Sequence, residues 1–238
     1  MLSMVTHRMA NLRAQRSLSP TARSVRDKRL TYLTPRRLLD LQSCAVTINA
    51  DGVPGDVLEC GVALGGSAIL LAAMKGEGRA FHGYDVFGLI PPPGPNDPPE
   101  AHARHAEITS GSSPGLGGDV YYGYQDDLLQ RVTAAFAEFG LTVGDADAIH
   151  LHRGLFDDTL EVDGPVALAH VDSDWFDPVD TCLRRIAPHL QPGGFIVLDD
   201  YNDYGGCRAA ADAYVAESGG ALAFVPLAET MAIVRVAA

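Results

Sequence analysis

Two short segments of the chain each place a pair of aspartates after an apolar run. Asp172 and Asp174 end the first, "LAHVDSD", and Asp199 and Asp200 end the second, "GGFIVLDD". Carboxylates repel one another at close range unless a positive charge lies between them. If the two runs are neighbouring strands, the pattern predicts a divalent cation, and Mg²⁺ prefers such oxygen ligands. A lone aspartate at a strand end is more often a helix cap or a solvated residue.

A glycine-rich loop, "LECGVALGGSA", follows an earlier strand-like run. Gly61, Gly65 and Gly66 allow the backbone to approach a ligand closely and let a helix begin tightly. The loop lacks the dinucleotide pattern G-x-G-x-x-G, because Ala63 stands where the second glycine would be. A tight strand–helix turn without a ligand is the alternative for this loop.

Two acidic residues indicate which ligand the loop would hold. Glu59 lies two residues before the first of these glycines, where a carboxylate suits a cation and would repel a pyrophosphate. Asp85 ends the next strand-like run, where an acid can accept hydrogen bonds from both hydroxyls of an adenosine ribose. A cationic methionine end and a ribose together describe S-adenosylmethionine. The adenine ring would lie near a third segment, "RGLFDDT", which contributes Gly154, Phe156 and Asp157. Core packing is an equally simple role for that phenylalanine.

Alternating strand and helix patterns supply the sheet that these residues need. Short apolar runs alternate with longer amphipathic segments, which predicts a mainly parallel sheet covered by helices on both faces. In such sheets, ligands bind at the carboxyl ends of the strands. We predict strands over 56–62, 79–87, 148–154, 165–174 and 192–201, a closing strand pair within 223–237, and helices over 34–50, 67–76, 125–140, 177–190 and 205–220.

Residues 88–124 interrupt this alternation with a long insertion, which we predict to be irregular. It begins "GLIPPPGPNDPPE", which is too rich in proline for a helix or a central strand. Loops of this length inside a compact domain are usually lids or binding loops. His102 and His105 lie in the insertion without a cysteine nearby, which favours a solvated or lid helix over a zinc site.

Composition limits the classes of function. The chain has 238 residues, 47% of them hydrophobic, which suits one α/β domain with a sizeable core. Its formal net charge of -12 argues against nucleic-acid binding, which needs a basic surface. No run approaches the roughly 18 apolar residues of a membrane span. The four scattered cysteines indicate reduced thiols in a cytoplasmic protein.

The charge is unevenly distributed along the chain. Residues 1–37 hold nine of the 18 Lys and Arg residues and a single acid, Asp27. We divide the chain into a basic arm and helix over 1–50 and a ligand-binding domain over 51–238 that contains the insertion. We expect the arm to pack over the cleft or on a partner subunit, and the protein to form a homodimer or larger homo-oligomer. An organellar transit peptide is the alternative for such a basic, serine-containing N-terminus.

Six segments spanning roughly residues 32–216 share the pattern of one known family. They are "YLTPRRLLDL", "GVPGDVLECGVALGGSA", "YDVFGLIPPP", "RGLFDDTL", "HVDSDWFDPVDTCLRRIAPHLQPGGFIVLDDY" and "GCRAAADAY". Together they resemble the macrocin O-methyltransferase (TylF-type) family. The resemblance implies the seven-stranded class I methyltransferase (Rossmann-like) fold with its last strand antiparallel. It also implies S-adenosylmethionine- and Mg²⁺-dependent methylation of a hydroxyl on an antibiotic or related metabolite.

Carried over by position, the resemblance gives roles to the candidate residues. It implies metal ligands at Asp172, Asp199 and Asp200, and a catalytic base at Asp174. With the residues chosen above, the predicted cofactor-binding set is Tyr32, Thr34, Glu59, Gly61, Gly65, Ser67, Asp85, Gly154, Phe156, Asp157 and Asp172. The chain departs from the residues usual in the family at Ala63, Leu64, Val86 and Gly88. These departures leave the cofactor prediction standing but loosen the details of the pocket and the acceptor.

Other functions fit parts of the pattern. The D-x-D spacing of "DSD" also suits a metal-dependent glycosyltransferase, although the acidic Glu59 and the lack of a basic phosphate cradle fit a diphosphate poorly. A nicotinamide oxidoreductase is disfavoured by the incomplete glycine pattern, and a noncatalytic module by the aspartates. For a methyltransferase, we expect a sugar hydroxyl as the acceptor, with a phenol or catechol as the second choice.

Overall fold

A computed structural model describes the backbone of residues 2–236 and the side chains of residues 10–236. Seven strands form one sheet: β1 (Asp56–Cys60), β2 (Phe81–Asp85), β3 (Ile149–Arg153), β4 (Val166–Val171), β5 (Leu190–Leu198), β6 (Leu222–Pro226) and β7 (Met231–Arg235). Their order is β3-β2-β1-β4-β5-β7-β6. The first five strands pair in parallel, and β7 is antiparallel to both β5 and β6. This arrangement confirms the predicted class I methyltransferase fold.

Helices cover both faces of the sheet. They are α1 (Leu2–Ser17), α2 (Pro20–Asp27), α3 (Pro35–Ala50), α4 (Gly66–Met74), α5 (Pro99–Thr109), α6 (Leu128–Glu138), α7 (Phe156–Thr159), α8 (Phe176–Ile186) and α9 (Gly205–Glu217). Helices α2, α3, α4 and α6 contribute to one apolar core cluster, and α8 and α9 contribute to a second. Within residues 2–236, no helix combines the length and the apolar character that crossing a membrane requires.

Helix α4 explains why the N-terminal arm packs on the domain. Its sequence, "GSAILLAAM", is apolar on all sides, and Gly66 through Ala72 are all buried. A helix of this kind must be covered around its whole circumference. The sheet covers one side, while α2 and α3 contact the other and bury Val25, Leu38 and Leu41 completely. In the structure, the arm helices therefore belong to the same core as the sheet.

The parallel register brings the candidate residues to one edge of the sheet. Cys60, the last residue of β1, lies opposite Val171 of β4, which lies opposite Leu198 of β5. The chain positions after these strand ends are Gly61, Asp172 and Asp199. The glycine loop and the two aspartate pairs, which are distant in sequence, thus lie side by side at the carboxyl edge of the sheet.

Some predicted element boundaries were wrong. The strand predicted over 165–174 ends at Val171, because the chain turns sharply and Asp174 adopts a φ of 28°. The insertion over 88–124 is not irregular throughout, since α5 occupies its centre and contains His102 and His105, where a helix was expected. That helix begins just after the proline-rich run, where Pro99 needs no backbone N–H partner in the first turn.

Candidate active site

A cleft of about 500 Å³ opens at the carboxyl ends of the strands. The glycine loop, the β4 and β5 ends, the insertion and the segment before α3 all contribute to its lining. Ten predicted site residues line it: Tyr32, Gly61, Asp85, Gly154, Phe156, Asp157, Asp172, Asp174, Asp199 and Asp200. The fold therefore brings together residues whose sequence separation reaches 168 positions (32 to 200).

The first turn of the glycine loop requires a residue without a side chain. Gly61 has a φ of 95°, and a Cβ there would collide with the backbone carbonyl oxygen of Asp172. Asp85 holds the same loop from β2. Its Oδ2 accepts hydrogen bonds from the N–H groups of Val62 (2.7 Å) and Ala63 (2.9 Å), and its Oδ1 accepts one from Phe87 (2.6 Å). Asp85 therefore orders the loop in addition to facing the cleft.

Three carboxylates converge beside this loop. Asp172, Asp174 and Asp200 can each offer an oxygen such that all three atoms lie within 4.8 Å of one another. Burial raises the pKa of each carboxyl, and the neighbouring aspartates raise it further, to about 6 for Asp174. Such a cluster is the arrangement that a hard divalent cation stabilises. It contains Asp174, and it leaves out Asp199, which sequence reasoning placed among the ligands.

Asp199 lies next to the cluster but faces two cationic side chains. Its Oδ2 pairs with Arg37 of α3, which also pairs with Asp203. Its Oδ1 lies 3.8 Å from Nε2 of His170 and has no hydrogen-bond partner among the described residues. Burial lowers the pKa of Arg37, but the charges of Asp199 and Asp203 more than offset this and leave it raised.

Glu59 lies behind the cleft wall and not in its lining. It is completely buried, and its Oε1 lies 2.8 Å from Nδ1 of His170, its cross-strand neighbour. Burial opposes a charge on His170, but the hydrogen bond to Glu59 and the negative charges of Glu59 and Asp199 raise its pKa to about 10. A buried chain from Glu59 through His170 to Asp199 thus connects the base of the glycine loop to the aspartates.

Three other predicted cofactor contacts also lie outside the lining formed by the described residues. Thr34 is the N-cap of α3, where its Oγ1 accepts a hydrogen bond from the backbone N–H of Arg37 at 3.3 Å. Gly65 is the N-cap of α4 with a φ of 90°, and a Cβ there would lie 3.1 Å from Val132. Ser67 is buried in the first turn of α4 beside Glu59. Each position supports the loop or the arm from behind.

Aromatic residues outside the predicted set of site residues surround the carboxylates. Tyr121, Tyr122 and Tyr204 line the cleft, with Arg104 of α5 and Trp175. Tyr204 and Trp175 meet edge to face with 5.6 Å between ring centroids. Burial raises the pKa of Tyr121 to about 12, so its hydroxyl remains protonated near neutral pH. The cluster "DVYYGY" within the insertion was the available signal for two of these residues.

Comparison with known families identifies the chain's relatives. Residues 3–221 match the family model "Macrocin-O-methyltransferase (TylF)". The chain belongs to this family. It is therefore an O-methyltransferase, which sets aside the glycosyltransferase, oxidoreductase and noncatalytic alternatives.

Two curated relatives are O-methyltransferases by name, and the first of the two names includes a rhamnosyl group. The 8-demethyl-8-(2,3-dimethoxy-alpha-L-rhamnosyl)-tetracenomycin-C 4'-O-methyltransferase of Streptomyces olivaceus is 33% identical over 190 residues, covering 77% of this chain and 67% of that protein. The mycinamicin III 3''-O-methyltransferase of Micromonospora griseorubida is 31% identical over 194 residues, covering 77% and 69%. Among solved structures, the O-methyltransferase NovP superposes with a TM-score of 0.71 at 23% identity, covering 87% of this chain and 82% of that one.

Proposed function

We propose that this chain is an S-adenosylmethionine- and Mg²⁺-dependent O-methyltransferase that modifies a sugar hydroxyl of a glycosylated secondary metabolite. The convergence of Asp172, Asp174 and Asp200 beside the glycine loop carries this proposal. The rhamnosyl group in the name of the tetracenomycin relative supports a sugar acceptor.

The residues present suit a magnesium ion. The three carboxylates offer only oxygen ligands, and the unpartnered Oδ1 of Asp199 is a buried acceptor beside them. Asp172 and Asp200 would hold the ion, and Asp174 would lie beside it in the same cluster. When bound, Mg²⁺ supplies a positive charge that orients an acceptor hydroxyl and lowers its pKa.

The other side of the cleft suits S-adenosylmethionine. Gly61 permits close approach of a ligand to the backbone, and Asp85 ends β2 where ribose hydroxyls would lie. Phe156 and Asp157 follow β3 and line the region assigned to the adenine. When bound, S-adenosylmethionine supplies a methyl group already activated on a sulfonium. The protein then has mainly to align the acceptor oxygen with that methyl group.

Asp174 is proposed to remove the proton from the acceptor hydroxyl. Its carboxyl lines the cleft within the acidic cluster, so it faces the place where the hydroxyl would bind. Its pKa of about 6 leaves it ionised near neutral pH while keeping it basic enough to accept a proton. The tyrosines and Trp175 wall this space, exclude water and offer flat apolar faces to a sugar ring.

The decisive experiment is methyl transfer to a panel of acceptors. Purified protein is incubated with S-adenosylmethionine, Mg²⁺ and neutral glycosides such as p-nitrophenyl α-L-rhamnoside, and also with catechols. Mass spectrometry should show a gain of one methyl on the sugar, and a chelator should abolish it. Methylation of catechols alone would refute the sugar acceptor, and undiminished turnover in chelator would refute the metal requirement.

A further inference from the structure

Asp97 in the proline-rich part of the insertion is a buried carboxylate that the proposed chemistry does not use. It is 7% exposed. Its Oδ1 accepts a 2.8 Å hydrogen bond from the backbone N–H of Phe176, and its Oδ2 accepts a 2.9 Å bond from Gly94. Phe176 is the first residue of α8, and the residue before it, Trp175, has no side-chain oxygen that could cap the helix. A residue 79 positions earlier in the chain thus caps this helix.

A second bond ties the same two segments together. The indole Nε1 of Trp175 donates a 3.1 Å hydrogen bond to the carbonyl oxygen of Pro91. Gly206 of α9 packs closely against this contact, because a Cβ there would collide with Asp97 Oδ1. The insertion therefore holds residues 175–176 by accepting two hydrogen bonds from them, one at the Asp97 side chain and one at the Pro91 backbone carbonyl.

Trp175 and Phe176 directly follow a strained turn. Asp174 has a φ of 28°, in the left-handed region that non-glycine residues rarely occupy. Its backbone N–H donates a 3.2 Å hydrogen bond to Asp200 Oδ2. Such a conformation persists only where surrounding contacts hold it. The backbone N–H of Asp174 is held by Asp200 of the acidic cluster, and the two residues that follow Asp174 are held by the insertion.

We infer that Asp97 is a positioning residue for Asp174: by holding the start of α8, it fixes the turn that points the Asp174 carboxylate into the cleft. This inference rests on the proposed function, because it presumes that Asp174 takes part in methyl transfer. It also gives the insertion a role beyond covering the cleft.

The chain provides a direct probe of this turn, because Trp175 is its single tryptophan. In Asp97→Ala, the two hydrogen bonds that the side chain accepts from the backbone N–H groups of Gly94 and Phe176 are lost. We expect the Trp175 emission to shift in the folded protein, and kcat on p-nitrophenyl α-L-rhamnoside to fall by about 10–100-fold, the scale of a misplacement near 1 Å. The affinity for S-adenosylmethionine, measured by calorimetry, should stay within about twofold, since the glycine loop is not involved. Asp97→Asn retains one acceptor, so it should recover much of kcat and of the parental emission.

Asp40→Ala is the matched control. Asp40 is also buried, at 5% exposure, and accepts backbone hydrogen bonds from Ala228, Glu229 and Thr230, away from the cleft lining. This variant should lose stability without changing the Trp175 emission or the kcat of the folded protein. Parental emission, or parental kcat, in Asp97→Ala would overturn the positioning role. Failure of the proposed function would appear separately, as parental kcat in Asp174→Asn.

Discussion

The backbone N–H of Asp174 donates a 3.2 Å hydrogen bond to Oδ2 of Asp200, the last residue of the second aspartate pair. This bond places the candidate base and a candidate metal ligand in one cluster, although they lie at the ends of different strands. Proximity alone therefore does not separate the two roles. Substitutions that keep the shape of each side chain but remove its charge can separate them.

Asp172→Asn and Asp174→Asn should fail in different ways. Asp172→Asn removes an anionic ligand, so Mg²⁺ should bind more weakly and excess metal should partly restore the rate. Asp174→Asn should lower kcat by about 10²–10⁴-fold, the usual contribution of a positioned base, and excess metal should not restore it. The measurement is kcat against Mg²⁺ concentration for both variants on one acceptor. Recovery of Asp174→Asn by metal would instead make Asp174 a ligand.

The sequence was sufficient to predict that the aspartates meet, but not how each is used. Parallel strands end at the same edge of a sheet, so the segments ending in Asp172 and Asp200 could be placed together from their pattern alone. The partner of Asp199 is Arg37, which is 162 residues away and comes from the arm. No local pattern encodes such a contact, because it depends on how α3 packs across the sheet.

Glu59 shows a second limit of sequence reasoning. A carboxylate beside a glycine loop is chemically suited to a cationic ligand, which is why sequence reasoning selected it. Its side chain instead lies opposite His170, because the register between β1 and β4 pairs these two residues. A shift of one residue in register would turn the side chain to the other face of the sheet. The burial of His170 was equally hidden until that register was known.

Metal-free protein should lose stability as the pH rises through the range in which the cluster ionises. The pKa of Asp174 is raised to about 6, above the value near 3.9 expected in the unfolded chain. The folded state therefore binds more protons between these values, and the stability that protonation gives is lost as pH rises through about 6. Thermal unfolding in chelator should show Tm falling from pH 5 to pH 7.5 by more in the parent than in Asp174→Asn.

Mg²⁺ should reverse this trend. Ionised carboxylates bind the cation, so the Tm increase on adding Mg²⁺ should be larger at pH 7.5 than at pH 5. Na⁺ at equal ionic strength serves as the control for screening. An Mg²⁺-induced increase that is the same at both pH values would show that the cluster does not bind the ion.

Asp85→Ala should weaken S-adenosylmethionine binding by about 1.5–3 kcal/mol, the range for hydrogen bonds to a charged group. Two effects contribute, since the carboxylate would meet the ribose and also orders the glycine loop through Val62, Ala63 and Phe87. Asp51→Ala, at the exposed end of α3, is the control. Titration calorimetry on folded variants decides the matter, and unchanged affinity in Asp85→Ala would remove the residue from the binding site.

We expect the N-terminal arm to form the contact between subunits of a homo-oligomer. Leu12 of α1 and Val46 of α3 are 58% and 53% exposed, and these two helices pack against each other. Leu12 and Val46 are large apolar side chains that the described residues leave uncovered, and burying them favours association of two arms. Leu12→Asp combined with Val46→Asp should reduce the mass measured by light scattering. Val225→Asp on β6 is the comparison, and dissociation by that change alone would place the interface at the edge of the sheet.

Arg37→Met should destabilise the protein more than the same change at a surface arginine. Arg37 has a side chain only 14% exposed and pairs with Asp199, which is 4% exposed, so its loss leaves a buried carboxylate whose remaining cationic neighbour among the described residues is His170. Removing one partner of a buried ion pair typically costs about 3–5 kcal/mol, because the remaining charge stays desolvated. Arg184 pairs with Asp180 and Glu217 on the exposed surface of α8, so Arg184→Met should leave Tm nearly unchanged.

Because Mg²⁺ supplies a positive charge beside Asp199, it should restore more of the Tm lost in Arg37→Met than it adds to the parent. The measurement is thermal unfolding of parent and both variants in chelator and in Mg²⁺. Equal losses of Tm in the two arginine variants would show that the ion pair between Arg37 and Asp199 does not stabilise the folded protein.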